Sequence, residues 1–120
     1  MSKTSFELWI PPESRLQAKI EESLADKTDA QFVLREYGTL LESSGSGLEV
    51  LAYIFSFGTA SALAACLKYA APVLIEFLRS RSIRIEVDGQ VIHVANQADL
   101  ERATKAVISL SKEQAKQRPK

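Results

Sequence analysis

Glu49-Val50-Leu51-Ala52-Tyr53-Ile54-Phe55-Ser56-Phe57-Gly58-Thr59-Ala60-Ser61-Ala62-Leu63-Ala64-Ala65-Cys66-Leu67-Lys68 is the stretch whose reading decides the fold. Eighteen residues without a charge, Val50 to Leu67, lie between Glu49 and Lys68. That count just reaches the length of a membrane-spanning helix. Ser56, Gly58, Thr59 and Ser61 dilute the run, however, and a helical pattern continues past Lys68 to about Arg79. At 100° per residue, Leu63, Leu67, Ala70, Leu74, Phe77 and Leu78 share one side, while Ser61, Ala65, Lys68, Pro72, Glu76 and Arg79 share the other. The second half therefore reads as a helix lying on a sheet.

The first half reads differently. On a helix, Val50, Leu51, Tyr53, Ile54, Phe55 and Phe57 would point in all directions, more than one sheet face can bury. A continuous helix from Leu48 to Ser80 would run about 50 Å, against roughly 35 Å for the diameter of a domain this size. Either the helix breaks near Gly58 or its first turns protrude. In both cases residues 50–57 are expected to be buried against a second molecule, with burial in the domain or contact with a membrane as the alternatives. Leu51, Ile54, Phe55 and Phe57 are the candidate interaction residues here.

Working outward, Phe6-Glu7-Leu8-Trp9-Ile10 alternates as a strand, which Pro11-Pro12 ends. Trp9 points away from Phe6 and Leu8, so it either covers the second sheet face or anchors a partner. Leu16, Ile20 and Leu24 form a helical stripe, and Gln31 to Tyr37 reads as a second strand in a crossover unit. Residues 43–47 read as a flexible linker. Asp88-Gly89 is a two-residue turn that sets Val87 opposite Gln90, Ile85 opposite Ile92 and Ile83 opposite Val94. Asn96 caps a last helix, with Asp99 completing a carboxylate capping box and Leu100, Ala103, Val107 and Leu110 as its stripe. A disordered basic tail is expected over 111–120. The expected class is α+β in one domain spanning 1–110, in the order β-α-β-α-β-β-α, with helices on a small mixed sheet and a C-terminal β-hairpin.

Fifteen basic and fifteen acidic residues cancel, so no global field recruits nucleic acid or anionic lipid. The single cysteine, Cys66, permits no internal disulfide and suits a reducing compartment. With no apolar leader core near Met1, the expected location is the cytosol, or the inner face of a membrane if the apolar segment contacts lipid. His93 has no metal-binding companions at ligand spacing, Glu21-Glu22 reads as a solvated helix face, and the glycines form no phosphate-cradling pattern. Arg79, Arg81 and Arg84 cluster at a helix end, too narrowly for a nucleic-acid face. No catalytic, metal or cofactor site is expected.

The run Glu76-Phe77-Leu78-Arg79-Ser80-Arg81-Ser82, the hairpin Ile83–Val94 and the acidic helix start Gln97-Ala98-Asp99-Leu100-Glu101 together resemble the bacterial effector-associated constant component family. These are small domains encoded beside varied effectors, some protease-like, in biological-conflict systems. The resemblance implies a non-catalytic adaptor or regulatory module that self-associates or docks an effector protein. The alternative is a membrane-associated accessory protein using residues 50–67.

Overall fold

The computed structural model describes residues 5–41 and 47–117. Five strands form one sheet in the order β2-β3-β1-β4-β5, where β1 is Phe6–Ile10, β2 Phe32–Leu41, β3 Gly47–Phe57, β4 Ile83–Val87 and β5 Gln90–Val94. Every neighbouring pair is antiparallel, so the expected mixed sheet is corrected. Between the strands run α1 (Ser14–Leu24), a single 3₁₀ turn (Thr28–Ala30), α2 (Ala60–Tyr69) and α3 (Ala71–Phe77), and α4 (Gln97–Gln117) follows β5. The path β1-α1-β2-β3-α2/α3-β4 interleaves two split β-α-β units. β1 and β2 run parallel with β3 between them, and β3 and β4 run parallel with β1 between them. This is ferredoxin-like topology, extended by β5 at one edge and by α4.

The main correction falls on the opening stretch. Residues 47–57 form a strand, not a helix, and only Ala60 onward is helical. Aromatic and β-branched residues favour the pleated conformation, and a short apolar run does not by itself distinguish a strand from a buried helix. The side chains that would point all round a helix divide between two sheet faces. Phe55 and Phe57 join the helix-side core, at 0% and 6% exposure, and Ile54 is buried on the opposite face. Neither phenylalanine is available to a second molecule.

Gly58 and Thr59 make the change of element. The Ala62 N–H donates to Thr59 Oγ1 at 3.1 Å and caps α2. The expected single helix to Arg79 is then cut at Ala70, because Pro72 has no N–H for the carbonyl four residues back and its ring crowds that turn. α2 and α3 bend by 67°, and no single helix is long and apolar enough to cross a membrane among the described residues. As a pair the two helices have the length and composition of a broken span. Their apolar side chains Leu63, Cys66, Leu67 and Leu74 are packed in the core.

Other readings match closely. Leu16, Ile20 and Leu24 are buried from α1, and the hairpin pairs Ile83 with Val94, Ile85 with Ile92 and Val87 with Gln90. Its turn places Asp88 at φ 52° and Gly89 at φ 84°, the left-handed region that a two-residue hairpin demands. Asn96 Oδ1 accepts from the Asp99 N–H at 2.8 Å, while Asp99 Oδ2 accepts from the Ala95 N–H at 3.1 Å. Residues 111–117, expected in a disordered tail, continue α4. Of the expected linker, Gly47 already pairs with Leu41 as the first residue of β3. Its other residues lie outside the described ones.

Candidate functional site: the uncovered sheet face

All the helices contribute to one core, so they lie on one side of the sheet. The alternation of the strands then assigns the other side. It presents Val33, Arg35 and Tyr37 from β2; Ala52, Ile54 and Ser56 from β3; and Glu7 and Trp9 from β1. β4 and β5 add Arg84, Glu86, Val91 and His93. No described element covers this face.

Its centre is built around Trp9. The register sets Trp9 between Ile54 on β3 and Arg84 on β4. The Arg84 guanidinium lies over the indole with its carbon 4.0 Å from the ring centroid, a cation–π stack. Tyr37 approaches Trp9 from the other side, at 5.4 Å between ring centroids and tilted by 56°. Ala52, opposite Tyr37, carries only a methyl group and leaves room for that contact. The Trp9 Nε1–H donates to Glu7 Oε1 at 3.0 Å, and Arg35 Nη2 donates to Glu7 Oε2 at 2.7 Å. Ser56 Oγ–H on β3 also donates to Glu7 Oε2 at 3.5 Å, so one carboxylate ties β1, β2 and β3 together.

Arg84 is not tied in the same way. Its Nε is buried with no hydrogen-bond partner, and its guanidinium has no ion pair or acceptor among the described residues. The guanidinium is held flat on the indole near the Glu86 carboxyl, with no hydrogen bond to a described residue, so its forked donors can take an acceptor from outside. The expected arginine cluster is divided by the fold. Arg81 pairs with Glu13 at 2.9 Å, Arg79 is exposed in the turn after α3, and only Arg84 reaches the sheet face.

Glu86 stands opposite Glu7. Partial burial, a hydrogen bond to Glu7 and repulsion from it raise the Glu86 carboxyl pKa above its ordinary 4.5, while Arg84 pulls it down. A raised folded-state pKa means that Glu86 loses its proton in the unfolded chain first. Stability then falls as pH rises through the folded value, and the effect vanishes below the ordinary one. Glu86→Gln, which can still donate to Glu7, is expected to raise the melting temperature at neutral pH and to leave it unchanged in acid below the ordinary carboxylate range. Thermal melts of both proteins across pH check this, and a gain of equal size at every pH would contradict it.

Of the residues singled out from sequence, Trp9 lies half-buried at the centre of the face and Ile54 beneath it. Leu51 is the extra residue of a β-bulge, since Tyr37 pairs with Ala52 while Gly38 pairs with Val50. It is 43% exposed and lines an open crevice with Trp9, Arg84 and His93. Phe55 and Phe57 do not belong to the site. Arg84, Tyr37, Glu7 and Glu86 were missed as a group. Alternation gives each one's face within its own strand, but the long-range β1–β3 and β1–β4 pairings, with β2 on β3, bring them together.

The remaining chemistry is sparse. Cys66 is fully buried, and burial pushes its thiol up to about 12, so almost no thiolate forms near neutral pH. Among the described residues no three His, Cys, Asp or Glu side chains are grouped to hold a metal. An apolar groove of about 590 Å³ runs between α2 and α4, floored by Leu67 and Leu100. Two acidic groups at its rim are occupied: Asp29 accepts from the Tyr69 hydroxyl and Glu101 from Gln97. No family model, no curated protein and no solved structure matches the chain.

Proposed function

We propose that this chain is a non-catalytic protein-interaction module that docks a partner protein on the uncovered sheet face, with Trp9 and Arg84 as its anchors. The observation that carries the reading is the stacked, unpartnered Arg84 guanidinium on the one tryptophan of the sequence. Trp, Tyr and Arg dominate the energetics of protein interfaces, and the face gathers Trp9, Tyr37 and two arginines. Its charge favours protein over nucleic acid. Arg35 and Arg84 are matched by Glu7 and Glu86 at the centre of the face, where a polyanion would meet two carboxylates.

The resemblance to the effector-associated constant components gives the partner a class: an effector protein of a bacterial conflict system, for which this chain serves as adaptor or regulator. The same reading places the module in the cytosol, where a lone reduced thiol such as Cys66 persists. Against a membrane role through residues 50–67 stands the division of that run into an interior strand and a helix packed in the core.

Affinity tests the proposal. A partner that co-purifies with the wild-type chain, titrated back as a purified protein, is expected to bind Arg84→Ala far more weakly. Equal binding of the two would contradict it.

A further inference from the structure

β2 is an edge strand ten residues long, paired with β3 on one side and with no strand on the other among the described residues. It contains no proline, and an unpaired row of backbone donors and acceptors is a template for another strand. The opposite edge, β5, has only five residues. The two most exposed large hydrophobic side chains among those described, Val33 at 64% and Tyr37 at 50%, both lie on β2. They stand two residues on either side of Arg35, on the same face. The sequence Val33-Leu34-Arg35-Glu36-Tyr37 is thus apolar, charged, apolar on that face, a pattern that reads alike in both directions.

We infer that β2 pairs antiparallel with β2 of a second copy of this chain, about a two-fold axis through Arg35. A two-fold axis brings the same patch of both copies together. In this register Val33 faces Tyr37 of the second copy and Tyr37 faces its Val33, so each exposed apolar group gains a cross-strand partner. The axis also brings two arginines together, and the structure already compensates for that. Each Arg35 is drawn back across β3 toward its own Glu7, with Nη2 2.7 Å from Oε2 and 3.4 Å from Ser56 Oγ. The two guanidinium groups therefore arrive neutralised and turned from the axis. The inference goes beyond the docking face: Val33 and Tyr37 project from that same face, but the pairing runs through the backbone edge of β2, away from Arg84 in strand order.

Sedimentation equilibrium on the intact chain tests it. Wild type is expected to be a dimer, and Val33→Lys to weaken it roughly tenfold or more, since charged side chains on an edge oppose strand pairing. Urea melts verify that Val33→Lys keeps the fold. Arg84→Ala is expected to remain dimeric, which separates this result from failure of the docking face. The register has its own readout. Under mild oxidation Arg35→Cys is expected to cross-link to itself across the axis, whereas Val33→Cys, facing Tyr37, is not; buried Cys66 stays silent. A monomeric wild type, or a dimer untouched by Val33→Lys, overturns the proposal. Self-cross-linking at Val33→Cys in place of Arg35→Cys overturns the register.

Discussion

Phe55→Ala is expected to destabilise the chain by about 3–5 kcal/mol, the usual loss for a buried phenylalanine. Phe55 is fully buried on β3, set between Leu8 and Leu34 by the register, with the Phe32 ring 5.1 Å away. Removing its ring leaves a cavity that rigid sheet neighbours on both sides fill poorly. Net stabilities of single domains are about 5–15 kcal/mol, so the loss takes a large share of the total. Phe55→Glu should go further and unfold the chain, because a carboxylate there has no hydrogen-bonding partner to offset its burial. Urea melts followed by far-UV circular dichroism check both variants. A Phe55→Glu protein that kept its cooperative transition and lost only self-association would restore residue 55 to a surface.

Arg84→Ala is expected to reverse that pattern, with little change in stability and a large change in binding. Within the chain the side chain makes its cation–π stack on Trp9 and leaves a buried Nε without an acceptor. Removing it loses the stack and also the cost of that unmet donor. At an interface, truncation of an anchoring arginine typically costs 2 kcal/mol or more, equivalent to roughly a 30-fold weaker complex. Arg84→Lys should not restore affinity, since an ammonium point charge offers neither the flat stack nor the forked donors. Calorimetric titration of the partner reads the binding change, and thermal melting reads stability. Rescue by lysine would show that Arg84 contributes charge alone.

How much of this was legible in the sequence depended on range. The Asp88-Gly89 turn fixes its own hairpin register, so Ile83 to Val94 could be paired residue by residue. Leu16, Ile20 and Leu24 mark their helix by spacing, and Asn96 with Asp99 marks the start of α4. Residues 50–57 were misread because β3 is a central strand. Phe55 and Phe57 are buried on one face and Ile54 on the other, so the polar-apolar alternation that identifies a half-buried strand is blurred. The site was legible only in part. Trp9 stood out by its alternation against Phe6 and Leu8. Arg84 reaches it through a β1–β4 pairing between residues 75 positions apart, which no local pattern encodes. α4 runs on to Gln117 through a segment whose basic composition read as a tail.

The central claim, that a partner protein docks on the uncovered sheet face, is tested most directly by photo-cross-linking from two positions. Val91 is 43% exposed on that face and far from the β2 edge in strand order, whereas Ile108 is 38% exposed on α4, on the helical side. With p-benzoylphenylalanine at either position in cells, the account predicts a protein adduct at Val91 and none at Ile108. An adduct at Ile108 and none at Val91 would move the interface to the helices, and a Val91 adduct removed by nuclease would replace the protein partner with a nucleic acid.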